Sequence, residues 1–252
     1  MRQRDPDAPA LDPAQEAAAA RGLKTMMPVD DGRPFLDHVL HALADAGVHD
    51  VALVLGPEHD EVRAYYRSLT PRRLNIAFVL QPEARGTADA VVCAEPWAGD
   101  APFLVANADN IYPGDVLERL VNAGGPALPG FERDSLGLPM DKIGTCALVE
   151  RDARGCLSRI TEKAGEDAVR RAGPTALISM NVWRFDTRIF DACRDVPVSP
   201  RGERELPQAV GLAAARGVCF SVFPVRGAVI DLSRRADVAD VSRRLAGTLV
   251  QL

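Results

Sequence analysis

The sequence predicts an α/β fold, a mostly parallel β-sheet with helices on both faces. Three observations point there. Short apolar runs alternate with stretches whose apolar residues recur every three or four positions, glycine and proline mark the junctions, and the unusual polar residues fall at the ends of the apolar runs. At 252 residues, 47% hydrophobic and 26% charged, the chain has material for a single domain with a sizeable core.

The elements follow in order. Phe35, Leu36, Val39, Leu40 and Leu43 form one apolar face of a helix whose polar side carries His38 and His41, and Gly47 ends it. "VALVLG" (Val51 to Gly56) is a continuous apolar run, the pattern of a strand buried on both faces. "HDEVRAYYRSL" places Val62, Tyr65, Tyr66 and Leu69 on a helix, and "NIAFVLQ" is the next strand. A helix near Ala88 to Cys93, the strand "FLVANAD" ending at Asp109, and a helix through Val116, Leu117, Leu120 and Val121 continue the alternation.

After Pro139 the rhythm changes. "IGTCALVE" and "CLSRITEK" flank Asp152-Ala153-Arg154-Gly155 and read as a β-hairpin. "GEDAVRRAG" reads as a mobile surface loop, "ALISMNVWRF" as one strand and Arg188 to Cys193 as a helix. An Ala-rich helix, the short strands "VCFSVFPV" and "VIDLS", and an amphipathic helix through Val238, Val241 and Leu245 complete the chain.

Composition excludes several classes. The net charge of −5 arises from interspersed acids and bases, without the basic stripe that nucleic acid requires. No run approaches the roughly 18 apolar residues of a membrane helix, and the N-terminus lacks the apolar stretch of a signal peptide, so a cytoplasmic location is expected. The five cysteines, without CxxC spacing, are read as buried reduced thiols. Self-association into a homo-oligomer is left open.

In an open α/β sheet, ligands gather at the carboxyl ends of strands, beside helix N-termini. Asp109 stands at such an end and suits a divalent metal holding phosphate oxygens, although alone it equally suits a turn or helix cap. Asp231 in "GAVIDLSRRADV" is similarly placed and similarly ambiguous. In "QPEARGTADAV", Gly86-Thr87-Ala88 opens a helix where small side chains let a flat ring approach the backbone. Glu162-Lys163 ends the hairpin, and Lys24 lies between a glycine and two methionines. Two separated aspartates, two lysines beside turns and a small-residue loop could supply phosphoryl or nucleotidyl transfer, which needs mainly positioned metal and cations.

Six segments in order resemble the sugar-1-phosphate nucleotidyltransferases: "GLKTMMPVDDGRPFLDHVL", "QPEARGTADAV", "LVANADNIY", "RITEKAG", "ISMNVWRF" and "GAVIDLSRRADV". The resemblance implies the nucleotide-diphospho-sugar transferase fold, a GT-A-like Rossmann variant, with a β-hairpin subregion for sugar. It divides a single 1–252 domain into an irregular insertion-like segment over 1–20, a nucleotide-binding half over 21–138 and a sugar-binding half over 139–252. The implied reaction joins a nucleoside triphosphate to a sugar-1-phosphate or cyclitol phosphate and releases pyrophosphate. Asp109 and Asp231 become ligands of a catalytic Mg²⁺, Lys24 a contact to the triphosphate and Lys163 a contact to the sugar phosphate. Gln81, Gly86 and Thr87 would lie against the base, with Glu162 and Asn181 facing the sugar.

The family's Glu-Lys-Pro is Glu162-Lys163-Ala164 here, and its Gly-Asp is Ala108-Asp109. The larger departure is at the start, where the family has a central strand and a glycine-rich loop cradling the triphosphate. Met1-Arg2 resembles only the end of that loop, which favours a start upstream of Met1 over a chain that truly lacks the strand. Lacking it would leave unpaired backbone groups at about 1–3 kcal/mol each. Two other readings stay open: a non-catalytic regulatory protein that binds nucleotide sugars, and a glycosyltransferase of similar fold, against which the two lysines argue.

Overall fold

The computed structural model describes residues 10–29 and 32–252. The insertion-like segment is in part regular. Asp12 accepts from the Gln15 N–H, Gln15 returns a bond to the Asp12 N–H, and this capping box starts helix α1 (Pro13–Arg21). Residues 1–9 of the segment lie outside the described residues. A 3₁₀ turn, Lys24–Met26, and the short strands β1 (Pro28–Val29) and β2 (Arg33–Pro34) lead into α2 (Phe35–Asp45).

β3 (Asp50–Leu55), α3 (Asp60–Ser68) and β4 (Asn75–Leu80) form a β-α-β unit whose strands pair in parallel over six rungs. α4 (Thr87–Cys93), α5 (Glu95–Ala98), β5 (Phe103–Ala106), β6 (Asn110–Ile111) and α6 (Gly114–Val121) follow. Then come β7 (Ala127–Glu132), α7 (Met140–Ile143) and the hairpin of β8 (Ala147–Arg151) and β9 (Leu157–Thr161). The chain ends with α8 (Glu166–Ala172), β10 (Leu177–Ser179), β11 (Val182–Phe185), α9 (Arg188–Asp195), α10 (Leu206–Ala215), β12 (Ser221–Val225), β13 (Ile230–Asp231) and α11 (Asp237–Leu245).

The α/β architecture and the helices on both faces stand. Alternate residues of the seven-stranded sheet enter different apolar clusters: Leu128, Trp183 and Val222 join one with α9 and α10, while Phe131, Val182 and Phe223 join the other with α6. The ladders are more mixed than the alternation suggests. Among the described strands only β3–β4 and β7–β12 pair in parallel, and the rest are antiparallel. Only β1–β2 and β8–β9 are hairpins between chain neighbours; the other antiparallel pairs join strands separated by intervening elements, so the mixture comes from long-range pairing that the local alternation does not show.

No ladder joins β3 to β5, so β3–β4 is a separate ribbon beside the sheet ordered β5-β11-β7-β10-β8-β9, with β12 on β7. β3 is accordingly only partly covered, not buried on both faces.

Four further expectations change. "ALISMNVWRF" is two strands, broken where Asn181 takes a left-handed φ of 56°. "GEDAVRRAG" is helix α8, its Val169 fully buried. His38 is buried, as is Asp37 beside it, to which the Tyr65 and Tyr66 hydroxyls of α3 donate at 2.8 and 2.7 Å. Cys156 and Cys219 form a disulfide tying the start of β9 to the chain before β12; Cys93, Cys146 and Cys193 are free.

Candidate active site

Two residues of sheet bring the predicted aspartates together. β13 runs antiparallel to β6, with Asp231 opposite Asn110 and Ile230 opposite Ile111, and the Leu232 N–H donates to the Asp109 carbonyl at 2.9 Å. Asp109 and Asp231, distant in sequence, therefore stand beside one another on the wall of a cavity of about 300 Å³. Glu162 and Asn181 line the same cavity, with Asn107, Lys142, Cys146 and Arg234.

Lys24, from the 3₁₀ turn after α1, forms an ion pair with Asp109. Burial pushes the Asp231 carboxyl above its ordinary range, Lys142 opposing and Asp109 reinforcing the shift. Glu162 is raised to about 7, chiefly by burial and then by Glu205. Cys146 is held up at about 11 by burial and the nearby acids, which leaves it a thiol.

Tyr112 organises the cavity floor, a role that nothing in its sequence neighbourhood marks. Its buried hydroxyl donates to the Met180 carbonyl at 2.8 Å and accepts from the Asn107 N–H at 3.3 Å; the Asn107 N–H also reaches the Asn181 carbonyl. Burial, with Asp109 adding to it, keeps this phenol protonated. Asn110 donates to the Met180 carbonyl as well, at 3.2 Å. Asn181 and Lys163 are the only non-glycine residues with positive φ among those described, and backbone in that region concentrates at functional sites. Lys163 itself is exposed and does not line the cavity.

The expected base-binding residues lie apart from this cavity. The Gln81 side-chain amide donates to the Gly86 carbonyl at 3.0 Å and to Asp89 at 2.9 Å. A Cβ on Gly86 would collide with the Arg204 backbone, which accepts from the Ala88 N–H and donates to the Arg85 carbonyl. The Thr87 hydroxyl accepts from the Leu206 N–H at 2.9 Å. The segment before α10 thus packs on the loop that opens α4. A larger hollow, about 540 Å³, lies elsewhere between α6 and β12, and its one cation, Arg119, stacks on Phe223 at 4.1 Å.

The aspartate pair suits a hard divalent ion. Its donors are carboxylate oxygens, and Asp231 Oδ1 is buried without a hydrogen bond, facing Lys142 Nζ at 3.4 Å. Two carboxylates fill only part of a Mg²⁺ shell, which leaves places for phosphate oxygens and water.

A cavity at the strand ends, two convergent aspartates and an ion-paired lysine define a phosphate-handling α/β protein. The chain belongs to the nucleotidyl transferase family, whose model matches residues 19–227; Asp231 follows the matched segment. It is 23% identical over 228 residues to the low-salt glycan biosynthesis nucleotidyltransferase Agl11 of Haloferax volcanii, covering 88% of this chain and 60% of Agl11. It is 26% identical to the UTP–glucose-1-phosphate uridylyltransferase AglF of the same organism, covering 85% of each. The chain thus spans less than two thirds of some relatives. A UDP-glucose pyrophosphorylase solved with UDP-glucose has the same fold, with a TM-score of 0.71 at 16% identity, over 88% of this chain and 89% of that one.

Proposed function

We propose that the chain is a nucleotidyltransferase that joins a nucleoside triphosphate to a sugar-1-phosphate or cyclitol phosphate. A phosphate oxygen of the sugar phosphate attacks the α-phosphorus, the bond from that phosphorus to the α,β-bridging oxygen breaks, and pyrophosphate leaves with the electron pair. The observation that carries the reading is the β6–β13 ladder, which sets Asp109 and Asp231 beside Glu162 and Asn181 in one cavity. Relatives whose names state UTP–glucose-1-phosphate chemistry support it.

Asp109 and Asp231 would hold Mg²⁺, which supplies charge neutralisation at the phosphate oxygens. Lys24, half-exposed at the cavity edge, exchanges its Asp109 partner for the triphosphate. Glu162 and Asn181 orient the sugar hydroxyls, and Lys163 meets the sugar phosphate when its exposed side chain folds in. Positioning and fixed charge are the protein's main contributions. The two halves, 21–138 and 139–252, serve nucleotide and sugar respectively, and a cytoplasmic location fits soluble substrates. No helix among the described residues is long and apolar enough to cross a membrane.

Pyrophosphate release from each nucleoside triphosphate with a panel of sugar-1-phosphates and Mg²⁺ tests the reaction. Turnover that falls roughly a hundredfold or more in Asp109→Asn is expected. Nucleotide-sugar binding that survives Asp109→Asn, with no pyrophosphate from any pair, would replace the enzyme by a regulatory binding protein.

A further inference from the structure

Lys142 is the most buried cation among the described residues, 5% exposed, on the four-residue helix α7. Burying an ammonium costs several kcal/mol unless opposite charge and hydrogen bonds compensate it. Here the compensation is specific. Lys142 Nζ lies 2.7 Å from Asp237 Oδ2 and 3.4 Å from Asp231 Oδ1. Asp237 Oδ2 also accepts from the Ser233 and Arg234 N–H groups at 3.0 and 2.6 Å, so one carboxylate oxygen folds the connection between β13 and α11. Next to Lys142, Asp141 pairs with Arg234 at 2.5 Å. Two crossed ion pairs therefore fasten α7 to the segment that carries Asp231.

Asp231 has little else to hold it. Its Oδ2 meets only the Ser233 hydroxyl, at 3.4 Å, and its buried Oδ1 makes no hydrogen bond. Lys142 also lines the cavity, so its charge faces the space that Asp109 and Asp231 share.

We propose that Lys142 is a positioning residue, the resident counter-ion of Asp231. It keeps that carboxylate aimed into the cavity and charge-balanced while the cavity holds no divalent ion. The proposal rests on Asp231 being a metal ligand. An ammonium this close to a carboxylate oxygen competes with a divalent cation for it and repels the cation through space. Free metal is thereby held off, while the carboxylate stays oriented for the reaction.

The two effects separate in experiment. Mn²⁺ titrated into the nucleotide-free protein, followed by calorimetry or water-proton relaxation, should bind Lys142→Met and Lys142→Gln at least tenfold more tightly than wild type. Pyrophosphate release by the same variants should fall at least tenfold in kcat with KM little changed, and Lys142→Arg should restore both quantities most of the way. Lys142→Gln retains a hydrogen bond to Asp237 and guards against simple misfolding, which circular dichroism monitors. Unchanged or weaker Mn²⁺ binding in both folded variants overturns the proposal. Wild-type Mn²⁺ binding that Asp231→Asn leaves untouched overturns the metal-ligand reading and the proposal together; weakening by Asp231→Asn without tightening by the Lys142 variants overturns the proposal alone.

Discussion

At the residue scale, Glu162 makes the sharpest statement about pH. Its carboxyl moves from an ordinary 4.5 to about 7, because burial and the neighbouring Glu205 both disfavour its charge. In the unfolded chain it ionises near the ordinary value, so between those limits the folded protein holds a proton that the unfolded chain has lost. Stability contributed by this group is present below pH 4.5 and is lost as pH rises through about 7. Glu162→Gln removes that loss. Thermal melts from pH 4 to pH 8 should show the variant gaining on wild type as pH rises, with the difference levelling off above about 7; a constant difference across the range would contradict the shifted carboxyl. Asp109, Asp231 and Glu162 were legible from the sequence because each stands at the end of an apolar run or hairpin strand, whereas Asn181, inside what reads as one strand, was reached only through the family resemblance. Lys142 and Tyr112 were not. A lysine on a single helical turn reads as solvated, and nothing in "NIYPGD" shows that the tyrosine hydroxyl turns toward backbone 68 residues away.

At the element scale, the loop opening α4 and the segment before α10 behave as one unit. Gly86 sits at φ 106°, where a side chain is strained, and the Arg204 backbone fills the space a Cβ would need. Gly86→Ala should therefore cost about 1–3 kcal/mol and separate the two segments, read as a lowered Tm and faster exchange of the Ala88 and Leu206 amides. The disulfide joins elements in a different way. It closes 63 residues of chain between the β8–β9 hairpin and β12, and loop entropy alone makes that constraint worth about 4 kcal/mol. Cys219→Ser should lower the denaturation midpoint accordingly, while strong reductant should lower wild type to match and leave the variant unchanged. The helices α2, α3, α6 and α11 were readable because their apolar spacing is regular. β7 was not, although its first five residues are buried. "ALPGFE" carries a Pro-Gly pair that marks a turn in most contexts, and only parallel pairing with β12 and antiparallel pairing with β10 and β11 make it a strand. The β6–β13 ladder was equally hidden, because two rungs leave no periodicity to read.

At the scale of the whole molecule, the fold is unevenly tied together. β7 has strands on both sides and apolar residues entering the clusters on both faces. Among the described strands β3 has one paired neighbour, β4, and no ladder to β5. What holds the β3–β4 ribbon is side-chain packing: Leu53 joins Phe35, Leu40, Val62 and Tyr66 in a core that Val238, Val241 and Leu245 of the last helix complete. Packing of this kind is non-directional, whereas a second ladder would fix the edge groups of β3 individually. The ribbon should therefore open in a smaller unit than the seven-stranded sheet. Amide exchange under native conditions should be roughly tenfold or more faster across Val51–Leu55 than across the buried part of β7, and α11 should exchange with the ribbon because it shares that core. Equal protection of β3 and β7 would mean that the two sheets open as one. Because α11 is joined to Asp231 by a short connection that Asp237 folds, its release would also loosen one of the two aspartates, so nucleotide with a divalent ion should slow exchange in α11 more than in α9, which has no part in the site.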